Sequence, residues 1–389
     1  MWKHIWFFLV FFFNQQVFAL ETLREGILRA SKNIYPIVAQ YGLKHGENLR
    51  SFSTQKTIRI LSIDGGGIRG VVPLKFLKYI EEQTGKPIAD SFDIIAGTST
   101  GGIIALGLCV PDTHGRPKYK VEDLRKIYKS DNGYIFSNPW WANVPLVGPL
   151  AKKGHDLVWA KYSKDGLEST LQRYFQKENG EKFRLSEALK TVLVPAFNME
   201  ESDLHLFDSD EARKNSAQNF YMTDVAYSTA AAPTYFPPSK IRNCSETEKY
   251  KLIDGGVIAN NPSLLALVKA NDLFGTRNNF FILSLGTGQK TVGNTRFREL
   301  RNSGLFHWAF HMPRLMINAS NSHTEYCLKG LEHVSNVKPI RIQIELNDKL
   351  MALDSTHREV ISDLERLAEE KIKERETDFK TVFDILKQD

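Results

Sequence analysis

The sequence predicts an α/β protein with a mostly parallel central sheet. Three observations predict it: short apolar runs recur along the chain, helical patterns fall between several of them, and two of the runs end in glycine clusters. Strands alternating with helices argue for this architecture over an all-β or all-α one. The chain has 389 residues, 42% hydrophobic, 25% charged and 11% aromatic. That composition is globular and excludes a disordered, collagenous or low-complexity protein. The net charge of +6, from 51 basic and 45 acidic residues, is too mild for a dedicated nucleic-acid binder. It suits a solubility charge or a weak attraction to an anionic lipid surface.

Residues 1–19 read as a secretory signal peptide. Lys3 and His4 precede an apolar run, 5–13, too short to span a bilayer, and small residues at Val17 and Ala19 place cleavage after Ala19. The expected location is therefore secreted or periplasmic, with an uncleaved membrane anchor as the alternative. Residues 20–55 read as a helix and linker. The catalytic core is expected over 56–345.

Within that core, TIRILSI (57–63) is a strand ended by a glycine cluster. Residues 71–83 carry helical apolar spacing at Leu74, Leu77 and Ile80, with Gly85 as the C′ residue. A buried-type strand follows at 92–96, then glycines and a small-residue helix to Leu108. Further strands are expected at 192–197, 252–253, 280–285 and 340–346. The tail, 346–389, is a charge-rich amphipathic helical segment. Thr356 and Glu359 fit a capping box, and Val360, Leu364, Leu367, Phe379, Val382, Phe383 and Leu386 fit one apolar stripe. Both charge signs on its polar face favour packing on its own domain over a membrane-lying or partner helix.

Three segments carry chemistry. Gly97-Thr98-Ser99-Thr100-Gly101 follows a strand and opens a helix. A serine on such a sharp turn presents its hydroxyl, and the helix N-terminus adds positive potential beneath it. Asp64-Gly65-Gly66-Gly67-Ile68-Arg69-Gly70 ends another strand. Its consecutive glycines let backbone N–H groups point into one cavity, a nest suited to an oxyanion. Arg69 either holds a phosphate or pins the loop. The same string satisfies a dinucleotide fingerprint, but Asp90 and Asp93 precede the next strand instead of ending it. The third segment is Leu252-Ile253-Asp254-Gly255-Gly256, an aspartate closing an apolar strand.

Serine needs a base. His307, His311 and His323 are the best-placed histidines, yet none has a recognisable catalytic context. A carboxylate does the same work if a dry setting raises its pKa, and Asp254 has that setting. Cys109, Cys244 and Cys327 give no disulfide framework, and no Cys/His spacing resembles a zinc site. Residues 134–150, with Trp140 and Trp141, carry no charge and suit either a lipid interface or a cap over the core. The Lys/Arg-rich 112–131 suits head groups or a solvated face.

Taken together, the three segments resemble the patatin-like phospholipases: a D-G-G-G-x-R-G loop, a G-x-S-x-G elbow and a later D-G-G, in that order. The block AYSTAAAPTYFPP (226–238) and ILSLGTG (282–288) are similar to the family too. The resemblance implies a three-layer αβα fold and a Ser–Asp dyad acting on membrane phospholipid or another lipid ester, in transient contact with the membrane surface. Ser99 is then the nucleophile, Asp254 the base, and the N–H groups of Gly65, Gly66 and Gly67 the oxyanion hole. Asp64, Arg69, Gly70, Gly97, Gly101, Gly255 and Gly256 support them. No metal, organic cofactor or nucleic acid is implied. The alternatives are a Ser–His–Asp esterase of the α/β-hydrolase type and a catalytically silent lipid- or nucleotide-binding module.

Overall fold

A computed structural model describes residues 56–129, 131–137, 159–290, 305–334 and 336–387. The expected signal peptide and linker of residues 1–55, Trp140 and Trp141 lie outside the described residues, as do the side chains of His307 and His311.

In chain order the main elements are β1 (Thr57–Ile63), α1 (Val71–Thr84), β2 (Ile94–Gly97), α2 (Thr100–Leu108), α3 (Val121–Lys129), α4 (Lys164–Tyr174), β3 (Thr191–Asn198) and β4 (Asp203–Asp208). Then come α5 (Met222–Ala230), β5 (Ser239–Arg242), β6 (Lys249–Asp254), α6 (Ser263–Phe274), β7 (Asn279–Leu285), β8 (Gln289–Lys290), α7 (Leu305–Val334), β9 (Val337–Ile342), β10 (Glu345–Leu346), α8 (Arg358–Glu374) and α9 (Glu376–Lys387).

β1 is central, running parallel to β2 on one side and to β7 on the other. β3 extends the parallel run beyond β2, and β9 beyond β7. β4, β5 and β6 join antiparallel around β3. Successive residues of a strand point to opposite faces. Ile58 and Ile60 of β1, with Phe280 and Ile282 of β7, bury against Ala266 and Ala270 of α6 and Leu328 of α7. Leu61 and Ile63, with Phe281, Leu283 and Leu285, bury on the other face among α1, α2 and α8. Helices cover both faces, so the inner strands carry apolar side chains on both faces and the fold is a three-layer αβα sandwich.

The predicted helix over 71–83 forms as α1, and Gly85 adopts the left-handed conformation (φ 66°) that ends it. The predicted capping box does not form. His357, in extended conformation, is the N-cap of α8 and makes no side-chain cap hydrogen bond, so Thr356 lies one residue outside the helix. The predicted single stripe is divided between two helices, with Arg375 between them (φ −104°). Both pack on α1: Phe379 is buried against the rings of Phe76 and Tyr79.

Candidate active site

β3 brings distant segments together. Residues 196–198 pair with both β4 and β6, and Leu193 pairs with both β2 and β4. A strand has two edges, so β2 and β6 share the edge opposite β4. β2 occupies it along 191–193 and then leaves the sheet at Gly97. β6 runs the other way along 196–198 and ends with Asp254 opposite Ala196. Ser99, two residues beyond β2, therefore meets Asp254, the last residue of β6.

Ser99 has φ 53° and ψ −122°, a strained conformation for a residue with a side chain, and it caps α2. The turn closes this tightly because a Cβ on Gly101 would overlap the carbonyl oxygen of Ile63. The Ser99 N–H donates to Thr229 Oγ1 (2.9 Å), and the Thr229 hydroxyl donates to the Pro195 carbonyl (2.7 Å). Thr229 thus ties the elbow to β3. Ser99 is 9% exposed and Asp254 6%.

The Asp254 carboxylate accepts from the Gly256 N–H (2.7 Å). Burial pushes its pKa up to about 6, while the nearby Ser99 hydroxyl and the hydrogen bond from the Gly256 N–H pull part of the way back. Few carboxylates at a protein surface have such an affinity for a proton.

The glycine loop packs beside the serine: a Cβ on Gly65 would lie 3.3 Å from that of Ser99. Its three glycines are not equivalent. The Gly65 N–H donates to the Asn260 carbonyl (3.1 Å), so it is already engaged, and the expected set of three oxyanion donors narrows to two. Among the described residues the N–H groups of Gly66 and Gly67 have no acceptor, and both glycines line the cavity over Ser99. Gly67 needs its left-handed φ of 58° to turn that way. Neighbours fix the rest of the loop. Thr287 donates to the Gly65 carbonyl (2.6 Å), and the Ile68 N–H donates to the Leu353 carbonyl (2.8 Å). Arg69 pins the loop by donating to the carbonyls of Gly66 (3.2 Å) and Gly288 (3.3 Å). Gly70 sits where a Cβ would overlap Thr100, whose hydroxyl pairs with that of Tyr128.

Above these groups is a cavity of about 320 Å³. Ile103, Ile127, Ile135, Leu167 and Phe236 form buried apolar walls, and Met312 and Met316 of α7 line it while remaining partly exposed. Among the described residues no histidine lines the cavity. His323 lies elsewhere on α7, with Cys327 Sγ 3.7 Å from its Nε2. Cys109, Cys244 and Cys327 are free thiols. Among the described residues no three His, Cys, Asp or Glu side chains are grouped as metal ligands. Several cations of 112–131 are engaged in ion pairs: Arg116 with Asp90, Arg125 with Glu122 and Glu365, Lys126 with Asp123.

Sequence reasoning did not find Thr229, Asn260, Thr287 or Arg341. Thr229 and Thr287 lie in the two blocks singled out by resemblance, which was a usable signal. Arg341, which grips Asp64, had none.

The family model for patatin-like phospholipases matches residues 61–267. Patatin-like protein 2 of Arabidopsis thaliana is 35% identical over 279 residues, covering 65% of this chain and 66% of its own length. The chain thus spans just under two thirds of that relative. Patatin-like protein 1 of the same plant is 29% identical, with 82% of each chain covered. A relative named probable inactive patatin-like protein 9, also from Arabidopsis thaliana, is 29% identical over 71% of each. The crystal structure of VipD from Legionella pneumophila aligns with 84% of this chain and 72% of its own, at 11% identity and a TM-score of 0.40.

Proposed function

The chain belongs to the patatin-like phospholipase family, and from that premise we propose that it cleaves carboxylic esters of lipids through a Ser99–Asp254 dyad. Asp254 takes the Ser99 proton as Oγ attacks the ester carbonyl. The carbonyl oxygen becomes an oxyanion against the N–H groups of Gly66 and Gly67. Collapse of that intermediate expels the alcohol, which receives the proton from Asp254, and leaves an acyl-Ser99 ester. Asp254 then deprotonates water, which attacks the acyl carbon; collapse releases the fatty acid and returns the proton from Asp254 to Ser99 Oγ. Each oxyanion donor is worth roughly 10²–10³ in rate. The apolar cavity takes the acyl chain. Met312 and Met316, partly exposed at its edge, suit brief contact with a membrane surface, where such a substrate resides.

One arrangement carries the reading: a buried carboxylate, its pKa pushed up to about 6, and a hydroxyl on a strained strand-to-helix turn line one apolar cavity beside the unengaged N–H groups of Gly66 and Gly67. The test uses a fluorophosphonate probe and phosphatidylcholine vesicles with the full chain. Wild type should be labelled and release fatty acid. Ser99→Ala should do neither, and Asp254→Asn should label far more slowly. Full activity in Asp254→Asn, or a histidine whose removal alone abolishes turnover, would refute the dyad. Specific vesicle binding without labelling would favour a silent lipid-binding protein.

A further inference from the structure

Arg341 lies on β9, outside the matched stretch 61–267, and the chemistry above does not use it. Its guanidinium donates to both carboxylate oxygens of Asp64, at 2.8 and 2.6 Å. It also donates to Ser284 Oγ (3.0 Å) and to Glu325 on α7 (3.0 Å). The Asp64 side chain is 1% exposed. Asp64 also opens the oxyanion loop, immediately before Gly65.

Two consequences follow from a carboxylate in that place. Held by a planar fork, it fixes the direction in which the loop leaves β1. Left unpaired, its negative charge would oppose the negative charge that develops on the substrate two residues further on, in a setting with little water to screen it. A bidentate guanidinium meets both needs, and an ammonium meets only the second.

We propose that Arg341 is a positioning residue that clamps and neutralises Asp64, keeping the Gly66 and Gly67 N–H groups aimed at the oxyanion. This rests on the reading of Ser99 as nucleophile. Glu325 keeps the guanidinium turned toward Asp64 from the opposite side, so α7 shares in the clamp.

The experiment measures p-nitrophenyl ester turnover and fluorophosphonate labelling in the full chain, for wild type, Arg341→Met, Arg341→Lys, Asp64→Asn and the Asp64→Asn/Arg341→Met double variant. Arg341→Met should lose roughly 10²-fold in kcat, the loss expected when an oxyanion donor is misplaced, with KM within about twofold. Arg341→Lys should fall between it and wild type. The double variant should be no worse than Arg341→Met, because the two residues act as one unit. A purely structural role would lower the melting temperature and leave kcat of the folded protein unchanged. Where Arg341→Met fails to fold, Arg341→Lys decides, since it keeps a cation beside Asp64 but loses the planar fork. A folded Arg341→Met or Arg341→Lys with wild-type kcat overturns the clamp alone. A wild type that is neither labelled nor active overturns the dyad and the clamp with it.

Discussion

A carboxylate acts well as a base when its pKa lies near the working pH, and Asp254 reaches about 6 because it is buried. That value has opposite effects on activity and stability. Turnover should fall as pH drops through about 6, since protonated Asp254 cannot accept the serine proton. Stability should run the other way. The ordinary value is 3.8, so the folded chain binds this proton more tightly than the unfolded chain. The stability it lends is present in full below about pH 4 and is lost as pH rises through about 6. Asp254→Asn should therefore melt higher than wild type at pH 8, by up to about 1–3 kcal/mol, with the difference gone at pH 4. Calorimetry at the two pH values checks this, and an equal shift at both would mean that the carboxylate is not strained by burial. The turns that carry Ser99 and Asp254 were legible in the sequence because tight turns demand glycine beside them. Arg341 was not, because a lone arginine on a strand carries no mark of the partner it meets 277 positions away.

Legibility at the scale of elements follows burial. β1, β3 and β7 carry apolar residues on both faces, and the sequence located each to within a residue. β4 (DLHLFD) and β5 (SKIR) were missed, because strands packed on one face alternate with polar residues and resemble loops when short. The tail reads as apolar at helical spacing, but sequence alone did not say what it covers. It covers α1. Phe379, 1% exposed, lies in contact with the rings of Phe76, Tyr79 and Phe383. Phe379→Ala removes an aromatic from a filled core and should lower stability by about 3–5 kcal/mol in a denaturant titration. Because α9 supplies no residue to the cavity over Ser99, kcat of the folded variant should match wild type. A loss below about 1 kcal/mol would mean that α9 is not part of the cooperative core.

At the scale of the whole molecule, the proposed dyad and the proposed oxyanion loop depend on different parts of the chain. Ser99, Thr229 and Asp254 are all held by β3 and lie within the stretch matched by the family. Asn260 accepts from Gly65 within that stretch, but the other ties of the loop come from outside it: Leu285 accepts from Asp64, Thr287 donates to Gly65, Leu353 accepts from Ile68, and Arg341 grips Asp64. The strand beneath the loop depends on the same region, since β1 pairs along its whole length with β7. A fragment spanning residues 56–267 keeps the dyad but leaves β1 as a seven-residue apolar edge with no partner on that side. Exposed edges of this kind pair with other chains. The apolar face that α7 and β7 cover would be bare as well. The fragment should therefore lack a cooperative thermal transition, bind a hydrophobic dye and elute as aggregate, whereas residues 56–389 should melt in one step as a monomer-sized species. Near-ultraviolet circular dichroism and size-exclusion chromatography measure both. A fragment that melts cooperatively would show that β2, β3 and β6 form a stable core by themselves. In that case fluorophosphonate labelling of the fragment would test Ser99 with its glycine loop unsupported, and the rate difference from the full chain would measure what residues 268–389 add.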